Sequence, residues 1–323
     1  MTLNQTLTRR PLGRTGLSIA PLVFGGNVFG WTADEKTSFD LLDRFVDAGF
    51  DAVDTADVYS SWAPGHVGGE SETIIGKWMK SRGTRDRITL ITKVGSPMGE
   101  GKEGLSARYI AQAVEASLKR LQTDVIDLYL SHFPDPKTPY EETLGAFDAL
   151  AKAGKVRAIG CSNLDAGQLR ASLEAAAAHG LPRYEVLQPG YNLHDRAGFE
   201  GPLADLCTKE GIGVITYFSL AKGFLSGKYR SEADLGKSPR GERSVRPYLT
   251  ERGFRILKAL DEVAEAHDAK PAEVAVAWLM HKPAVTAPIA SATSLEQLES
   301  LIRSASLPLG AADMAKLDQA AAP

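Results

Sequence analysis

Short β-rich runs alternate with longer amphipathic segments through most of the chain, and this alternation is the feature that most restricts its fold. The short runs are rich in β-branched and aromatic residues, whereas apolar residues recur at helical spacing in the longer segments. Strands that are separated by helices pair in parallel through right-handed crossovers. Eight such units are expected to close into a barrel rather than an open sheet. The sequence therefore predicts an α/β fold, the (β/α)8 TIM barrel.

The predicted elements cover most of the chain. The predicted strands lie at 19–26, 50–55, 88–94, 124–132, 156–162, 184–190, 213–219 and 285–291. The predicted helices lie at 38–49, 71–83, 106–122, 140–154, 164–180, 201–211, as a pair within 251–282, and at 294–304. Ser106 and Ser294 stand where N-caps are expected, and Gly180 and Gly211 where a helix ends in a left-handed residue.

Two segments fall outside this repeat. The opening RRPLGRTGLSIAP is rich in turn residues and predicts a β-hairpin before the first barrel strand, covering the bottom of the barrel. The stretch 220–250 is rich in Gly, Lys and Arg and predicts a long loop after strand seven, at the C-terminal face. A chain of 323 residues has room for two ordinary domains, but no change of composition marks a linker, so 1–323 is predicted to be a single domain.

Composition and charge exclude several classes of function. The net charge of −3 provides no basic field for nucleic acid or an anionic membrane, and no apolar run is long enough to cross a bilayer. The polar N-terminus lacks the apolar core of a secretory signal, so a cytoplasmic protein is expected. Cys161 and Cys207 are far apart in sequence, which suits a reducing compartment. No metal-ligand spacing is visible, and no metal is expected.

Four titratable residues follow consecutive predicted strands. Asp54, Lys93 and His132 stand at the ends of the second, third and fourth strands, and Tyr59 follows Asp54 on the next loop. In a (β/α)8 barrel the C-terminal ends of the strands face one shared site. Each residue alone has an ordinary explanation, such as a helix cap or a packed ring. Their common position predicts that all four meet at one mouth.

The chemistry open to this quartet is restricted. A tyrosine, whose pKa is about 10, is a poor acid at neutral pH unless its phenolate is stabilised. An ammonium at Lys93, held in place by Asp54, would stabilise it, so that Tyr59 can give a proton to a developing alkoxide. His132 can donate a hydrogen bond to the same oxygen. A hydride from a nicotinamide cofactor would complete the reaction.

A series of motifs then resembles one known family. The segments DTADVY, GGESETIIGKWM, ITKV, DLYLSHFPDP, AIGCSN, LQPGYN and TYFSLAKGFLSGK are similar to signatures of the aldo-keto reductases, and they occur in the family's order over nearly the whole chain. The resemblance implies a (β/α)8 barrel and NADP(H)-dependent interconversion of aldehydes or ketones with alcohols. It places the catalytic residues at Asp54, Tyr59, Lys93 and His132.

The same resemblance implies where the cofactor binds. Ser162, Asn163 and Gln188 match positions that hold the nicotinamide carboxamide, and Tyr217 matches the aromatic residue that stacks on the ring. The loop after strand seven matches the segment that surrounds the pyrophosphate. The full set of expected cofactor residues is Gly26, Asn27, Asp54, Ser162, Asn163, Gln188, Tyr217, Phe218, Ser219, Leu220, Lys222, Gly223, Leu225, Gly227, Ile289, Ala290, Ser291, Thr293 and Gln297.

The chain departs from the family at the adenosine end. Many members carry a Lys or Arg after strand eight that binds the 2′-phosphate, followed by a Glu–Asn pair around the adenine. Here Ser291 and Thr293 occupy the first region, and Ser300 and Leu301 the second. A missing cation removes a charge-assisted contact of roughly 1.5–3 kcal/mol. NADP is the expected cofactor, NAD or dual use stays open, and the candidate compensating cations are Arg240, Arg243 and Arg246.

The substrate is expected to be a small-molecule carbonyl compound or alcohol. Its pocket is predicted to include Trp31, Tyr59, Trp62, His132 and Phe133, with Tyr191 as a further candidate. Three alternatives stay open: a regulatory subunit that senses its cofactor with little turnover, an NAD-preferring alcohol or sugar dehydrogenase, and a lyase in which Lys93 forms a Schiff base. The reaction direction and the oligomeric state are not readable from the sequence.

Overall fold

The computed structural model describes residues 7–238 and 244–322, and it contains the predicted barrel. The barrel strands are β3 (Val23–Gly25), β4 (Ala52–Asp54), β5 (Thr89–Val94), β6 (Ile126–Ser131), β7 (Val156–Ser162), β8 (Val186–Gln188), β9 (Gly213–Thr216) and β10 (Ala287–Ala290). All neighbouring pairs are parallel, and β10 pairs with both β3 and β9, which closes the barrel. The (β/α)8 prediction is confirmed.

Alternation of side chains along the strands produces two apolar layers. Ile91 of β5 and Leu128 of β6 point into the barrel, while their neighbours Leu90 and Tyr129 point outwards against the helices. Because both faces of a parallel sheet are buried here, every residue of β5 and β6 is buried, including the polar Lys93 and Asp127. The register pairs Asp54 with Ile91 and Lys93 with Leu130, which sets the height of these polar groups at the barrel mouth.

The helices lie outside the barrel, mostly where the apolar periodicity predicted them. They are α1 (Glu35–Asp47), α2 (Glu70–Arg82), α3 (Ala107–Leu121), α4 (Tyr140–Lys152), α5 (Ala166–His179), α6 (Pro202–Glu210), α7 (Glu251–Ala266), α8 (Pro271–Met280), α9 (Leu295–Ser304) and α10 (Ala311–Ala320). The Ser106 and Ser294 side chains cap α3 and α9, and Gly180 and Gly211 end α5 and α6 with φ near 63° and 65°. The sequence did not predict α10. None of the described helices is both long and apolar enough for a membrane span.

The predicted hairpin is present and closes the N-terminal end of the barrel. Its strands are β1 (Arg10–Pro11) and β2 (Ser18–Ile19), so Ile19 belongs to the hairpin and not, as predicted, to the first barrel strand. Leu12 and Ile19 pack into the apolar interior of the barrel. Gly13, with φ +61°, lies so close to the backbone that a Cβ there would come within 2.1 Å of the Glu185 carbonyl oxygen.

The loop after β9 is partly ordered into short 3-10 turns. They cover Ala221–Ser226, Glu232–Lys237 and Arg246–Tyr248. Strand β9 ends at Thr216, earlier than predicted, because Phe218 adopts a left-handed conformation with φ 57° that a strand does not accommodate. The loop therefore begins at the barrel mouth and covers its C-terminal face.

Candidate active site

Four neighbouring segments bring the predicted quartet together at the barrel mouth. Asp54 is the last residue of β4, Lys93 lies near the end of β5, and His132 directly follows β6. Tyr59 lies in the turn after β4, with its ring centroid 6.0 Å from that of His132. The side chains of these four residues, far apart in sequence, thus share one small volume, as the sequence predicted.

Lys93 is the centre of this cluster. Its Nζ donates hydrogen bonds to Asp54 Oδ2 at 2.7 Å, to the Thr55 carbonyl at 2.7 Å and to Tyr59 Oη at 3.0 Å. The side chain is fully buried, and burial lowers the pKa of Lys93, while the Asp54 carboxylate opposes that shift. Three oxygen acceptors, one of them the Asp54 carboxylate, favour the ammonium form and aim one of its protons at the tyrosine hydroxyl.

Asp54 is held from a second side as well. Its Oδ1 accepts a hydrogen bond from Gln188 Nε2 at 2.8 Å, and its Oδ2 lies 3.4 Å from the Tyr59 hydroxyl. Gln188 is the last residue of β8, across the barrel from β4. Since both carboxylate oxygens have partners, Asp54 has a fixed orientation toward Lys93.

His132 is held as a neutral imidazole. Burial, followed by the nearby Lys93 charge, lowers its pKa to about 3. The Ser96 hydroxyl lies 2.9 Å from Nδ1. When that hydroxyl donates to Nδ1, the single ring proton is on Nε2, which is then a donor. Sequence analysis missed Ser96, because nothing in the sequence shows that the loop after β5 returns to the His132 ring.

The residues predicted to hold the nicotinamide form one connected network. Asn163, at φ 64°, donates from Nδ2 to the His132 carbonyl at 2.9 Å and accepts at Oδ1 from the Tyr217 hydroxyl at 2.7 Å. Ser162 Oγ donates to the Gln188 carbonyl at 2.7 Å. A Cβ at Gly190 would lie 3.1 Å from the Tyr217 ring, so the missing side chain leaves room for that ring. The network holds Tyr217 at a fixed place in the mouth.

A cavity of about 740 Å³ extends from this cluster along the C-terminal face. It is lined by most of the predicted cofactor residues, namely Asn27, Asp54, Ser162, Asn163, Gln188, Tyr217, Phe218, Ser219, Leu220, Lys222, Gly223, Ile289, Ala290, Ser291, Thr293 and Gln297, and by Ser300 and Leu301. Tyr59, Trp62, His132 and Phe133 line the end that the substrate was predicted to occupy. The volume is in the range of cofactor sites.

Five predicted residues lie outside the lining of this cavity. The Gly26 carbonyl accepts a hydrogen bond from Ser71, Leu225 is packed in the core, and Gly227 ends a 3-10 turn. Trp31 lies behind Trp62, with ring centroids 5.8 Å apart. Tyr191 is buried and donates a hydrogen bond to Glu200. Four of these five positions belong to segments that do contribute other residues to the cavity lining or lie next to them, so their roles stay predictions.

The loop after β9 has an unusual backbone conformation. Phe218, Ala221, Lys222 and Gly223 all have positive φ, and the Ala221 and Gly223 N–H groups donate to the Phe218 and Leu220 carbonyls within the loop. Ser219 Oγ donates to the Ile289 carbonyl at 2.7 Å and ties this loop to β10. Such strain in non-glycine residues persists only where the surrounding structure enforces it, commonly at ligand sites. The lysine-bearing loop, the fixed aromatic ring and the long cavity fit a nicotinamide dinucleotide.

The far end of the cavity contains charged residues that the sequence did not identify. Lys270 lines it, together with Glu296 in the first turn of α9, whereas Lys228 lines the cavity from the loop after β9. Of the predicted compensating cations, Arg240 and Arg243 lie outside the described residues, and Arg246 donates to Glu232 at 2.7 Å. Lys270 precedes α8, and only the packing of α8 beside α9 brings it to this end.

A second buried carboxyl group lies behind the quartet. Asp57 is buried, and neither of its side-chain oxygens has a hydrogen-bond partner among the described residues. Burial and the nearby Glu72 carboxylate raise the pKa of Asp57 to about 8. Glu72 itself accepts hydrogen bonds from Thr92 and Arg120. Asp57 therefore favours the neutral form at neutral pH.

Comparison with known proteins agrees with this geometry. The sequence model described as "Aldo/keto reductase family" matches residues 21–322. The chain is 35% identical over 306 residues to "Uncharacterized oxidoreductase YrpG" of Bacillus subtilis (strain 168), which covers 92% of this chain and 91% of that protein. It is 31% identical to "Protein tas" of Escherichia coli (strain K12), with 94% of each chain covered. It is 33% identical to "Norsolorinic acid reductase stcV" of Emericella nidulans, covering 90% of this chain and 75% of that protein. With the family match extending over nearly the whole barrel, the chain belongs to the aldo-keto reductase family of oxidoreductases.

Proposed function

We propose that this protein is an NADP(H)-dependent oxidoreductase that interconverts aldehydes or ketones with alcohols. Tyr59 acts as the general acid in reduction and the general base in oxidation. The observation that carries the proposal is the contact of 3.0 Å between the fully buried Lys93 ammonium and the Tyr59 hydroxyl. A tyrosine placed against a fixed cation can release a proton that it would otherwise retain.

Four side chains of the protein have separate roles around the substrate oxygen. When bound, the cofactor supplies the hydride that reduces the carbonyl carbon. Tyr59 gives its proton to the oxygen, and Lys93 stabilises the phenolate that remains. Asp54 keeps Lys93 charged and aimed. Neutral His132 donates from Nε2 to the same oxygen and polarises it, without a proton transfer of its own.

The remaining residues of the network position the reacting groups. Tyr217 is the proposed stacking surface for the nicotinamide ring, and Ser162, Asn163 and Gln188 are the proposed partners of its carboxamide. The positive-φ segment around Lys222 is the proposed pyrophosphate site, because it lines the cavity and its lysine supplies a cation for an anion. These are the roles that the family resemblance assigns to the same positions.

We propose a small substrate with an apolar or aromatic body. Trp62 and Phe133 stand beside Tyr59 and His132, and 47% and 48% of their surfaces are exposed at the mouth. Exposed aromatic rings at a cavity entrance favour flat apolar groups. The name of the relative "Norsolorinic acid reductase stcV" is consistent with a carbonyl substrate.

The proposal extends to the domain organisation and the location of the protein. We propose that 1–323 form one domain, because the hairpin shares the interior of the barrel. We also propose a reducing, cytoplasmic location, because Cys161 and Cys207 are both buried free thiols. A Schiff base at Lys93 is disfavoured, because its amine is fully buried and bound to three oxygens.

Cofactor titration followed by a substrate panel tests the proposal. Calorimetry with NADPH and NADH establishes whether either one binds. The absorbance of the reduced nicotinamide then measures turnover of aromatic and aliphatic aldehydes, ketones and alcohols. We expect binding and turnover of at least one aldehyde or ketone. Tight binding without turnover of any compound would instead favour the cofactor-sensing subunit, and absence of binding would reject both.

A further inference from the structure

The far end of the cavity is formed where two helices begin side by side. Lys270 directly precedes α8, and Glu296 lies in the first turn of α9. Lys270 Nζ donates to Glu296 Oε1 at 2.9 Å. Deeper in the same contact, Ser300 Oγ of α9 donates to Glu273 Oε1 of α8 at 2.7 Å. The buried contact fixes the two helices, while the outer ion pair remains accessible from the cavity.

The charged residues in the described lining of the cavity make different contacts. Asp54 forms an ion pair with Lys93. Lys222 Nζ lies over the Phe218 ring. Lys228 Cε lies 3.9 Å from the position that a Cβ on Gly223 would occupy. Both lysines therefore belong to the proposed pyrophosphate loop. Lys270 and Glu296 are the charged pair that lines the end formed by α8 and α9.

This end also offers neutral groups that suit a phosphate. Thr293 and Ser294 precede α9 and hydrogen-bond Gln297 at its cap, and helix N-termini favour negative charge because their first N–H groups have no partner within the helix. The Glu296 carboxylate already occupies this positive environment, and its hydrogen bond with Lys270 lowers the pKa of Glu296. The side chains of Lys270 and Glu296 are 51% and 82% exposed, so they can separate without leaving a buried charge.

We propose that Lys270 binds the 2′-phosphate of NADP and that Glu296 is the countercharge it exchanges for that phosphate. The inference rests on the proposed function and specifies its cofactor. A phosphate monoester carries up to two negative charges against one on a carboxylate, so it is the stronger partner for the same ammonium. NAD carries a hydroxyl there and leaves the ion pair intact. The pair thereby provides, from a different element, the cation missing after β10.

Opposite effects of the two residues follow from this exchange. Removing Lys270 takes away the partner of the phosphate, whereas removing the Glu296 charge takes away its competitor. Neither change affects a contact with NAD. Replacement of Glu296 strengthens NADP binding only when Lys270 is present, because the competition is for that one ammonium. The two substitutions are therefore non-additive for NADP and neutral for NAD.

Calorimetric titration of NADP+ and NAD+ into four purified proteins tests the proposal. The variants are Lys270→Ala, Glu296→Gln and the double variant, compared with the unmodified chain. For Lys270→Ala we expect NADP+ affinity to fall about tenfold and NAD+ affinity to stay unchanged. For Glu296→Gln we expect NADP+ affinity to rise about threefold and NAD+ affinity to stay unchanged. The unmodified protein should also lose NADP+ affinity with added salt more steeply than Lys270→Ala does.

A matched control is available on another face of the molecule. Lys316 of α10 pairs with Glu262 of α7 at 2.9 Å, and their side chains are 50% and 45% exposed. Lys316→Ala removes a similar surface cation that does not line the cavity, so affinity for both dinucleotides should be unchanged. Thermal midpoints of all variants verify that they are folded.

Three results would overturn the proposal. NADP+ affinity that is unaffected by Lys270→Ala would show that the phosphate binds elsewhere. Loss of NAD+ affinity in Glu296→Gln would show that this carboxylate binds the ribose hydroxyls and that the end of the cavity selects NAD. If the unmodified chain bound neither dinucleotide, the proposed function would fail together with this inference, whereas binding without a Lys270 effect rejects this inference alone.

Discussion

Replacing Lys93 by methionine separates the structural role of the buried ion pair from its proposed chemical role. Methionine is similar in length but has no charge, so the change removes the hydrogen bonds to Asp54, to the Thr55 carbonyl and to Tyr59. Asp54 would then remain buried with only the neutral donors Gln188 Nε2 and, at 3.4 Å, the Tyr59 hydroxyl among the described contacts. Breaking a buried ion pair from one side costs about 3–5 kcal/mol, because the remaining charge has no compensation.

The second variant neutralises the charge that is left behind. In Asp54→Asn/Lys93→Met no buried carboxylate needs a cation, so we expect the free energy of unfolding to recover by about 2 kcal/mol relative to Lys93→Met. Activity should not recover, because the cation next to the Tyr59 hydroxyl is still missing. Between the two variants, stability therefore rises while turnover stays low.

Urea unfolding at neutral pH and steady-state kinetics measure the two quantities. Lys77→Met is the matched control, because Lys77 makes a surface ion pair of 2.6 Å with Glu35 and is 48% exposed. It should cost less than about 1 kcal/mol and leave turnover intact. A Lys93→Met variant as stable as the unmodified chain would refute the buried ion pair, and a double variant with restored turnover would refute the role of the cation.

Three further predictions concern other parts of the site. Because burial depresses the pKa of His132 to about 3, kcat should show no inflection near pH 6.5, and an inflection there that disappears in His132→Gln would contradict a neutral imidazole. Asp57 has a folded pKa of about 8, above its unfolded value, so it binds its proton more tightly when folded. Its contribution to stability is thus present at low pH and lost as pH rises towards 8. Asp57→Asn should therefore gain stability relative to the unmodified chain between about pH 4 and 8, by up to roughly 1.4 kcal/mol per pH unit in urea titrations, whereas exposed Asp47→Asn should not. Gly190→Ala should displace Tyr217 and weaken calorimetric cofactor binding by about 1 kcal/mol, and unchanged affinity would show that the ring position is not critical.

The sequence predicted the barrel because its two periodicities are local properties. The predicted ends of the strands were less accurate, because they depend on which strands pair with each other. Residues 19–26 were predicted as one strand, yet Ile19 pairs with Arg10 in the hairpin, whereas Val23 pairs with Ala52 in the barrel. The final helix α10 was missed, because its short stretch is rich in alanine and shows only a weak apolar stripe.

The same difference between local patterns and contacts with distant partners applies to the site. The quartet could be predicted because residues at the ends of consecutive parallel strands meet whatever lies between them in sequence. Contacts made by loops and helix ends could not. Ser96 reaches His132 through a loop, and Lys270 reaches the cavity through the packing of α8 on α9. The Asp57 side chain stands in the recognisable segment DTADVY, but its burial depends on α2 and α3 behind it.

Turnover and cofactor affinity of Tyr59→Phe, measured on one preparation, test the central claim most directly. The substitution removes one hydroxyl, which lies 3.0 Å from Lys93 Nζ, and keeps the ring against Trp62. We predict that kcat falls by about a hundredfold to ten-thousandfold while the dissociation constant of the cofactor stays the same. Carbonyl reduction at the unmodified rate, with the phenylalanine ring in place, would show that the proton comes from another group.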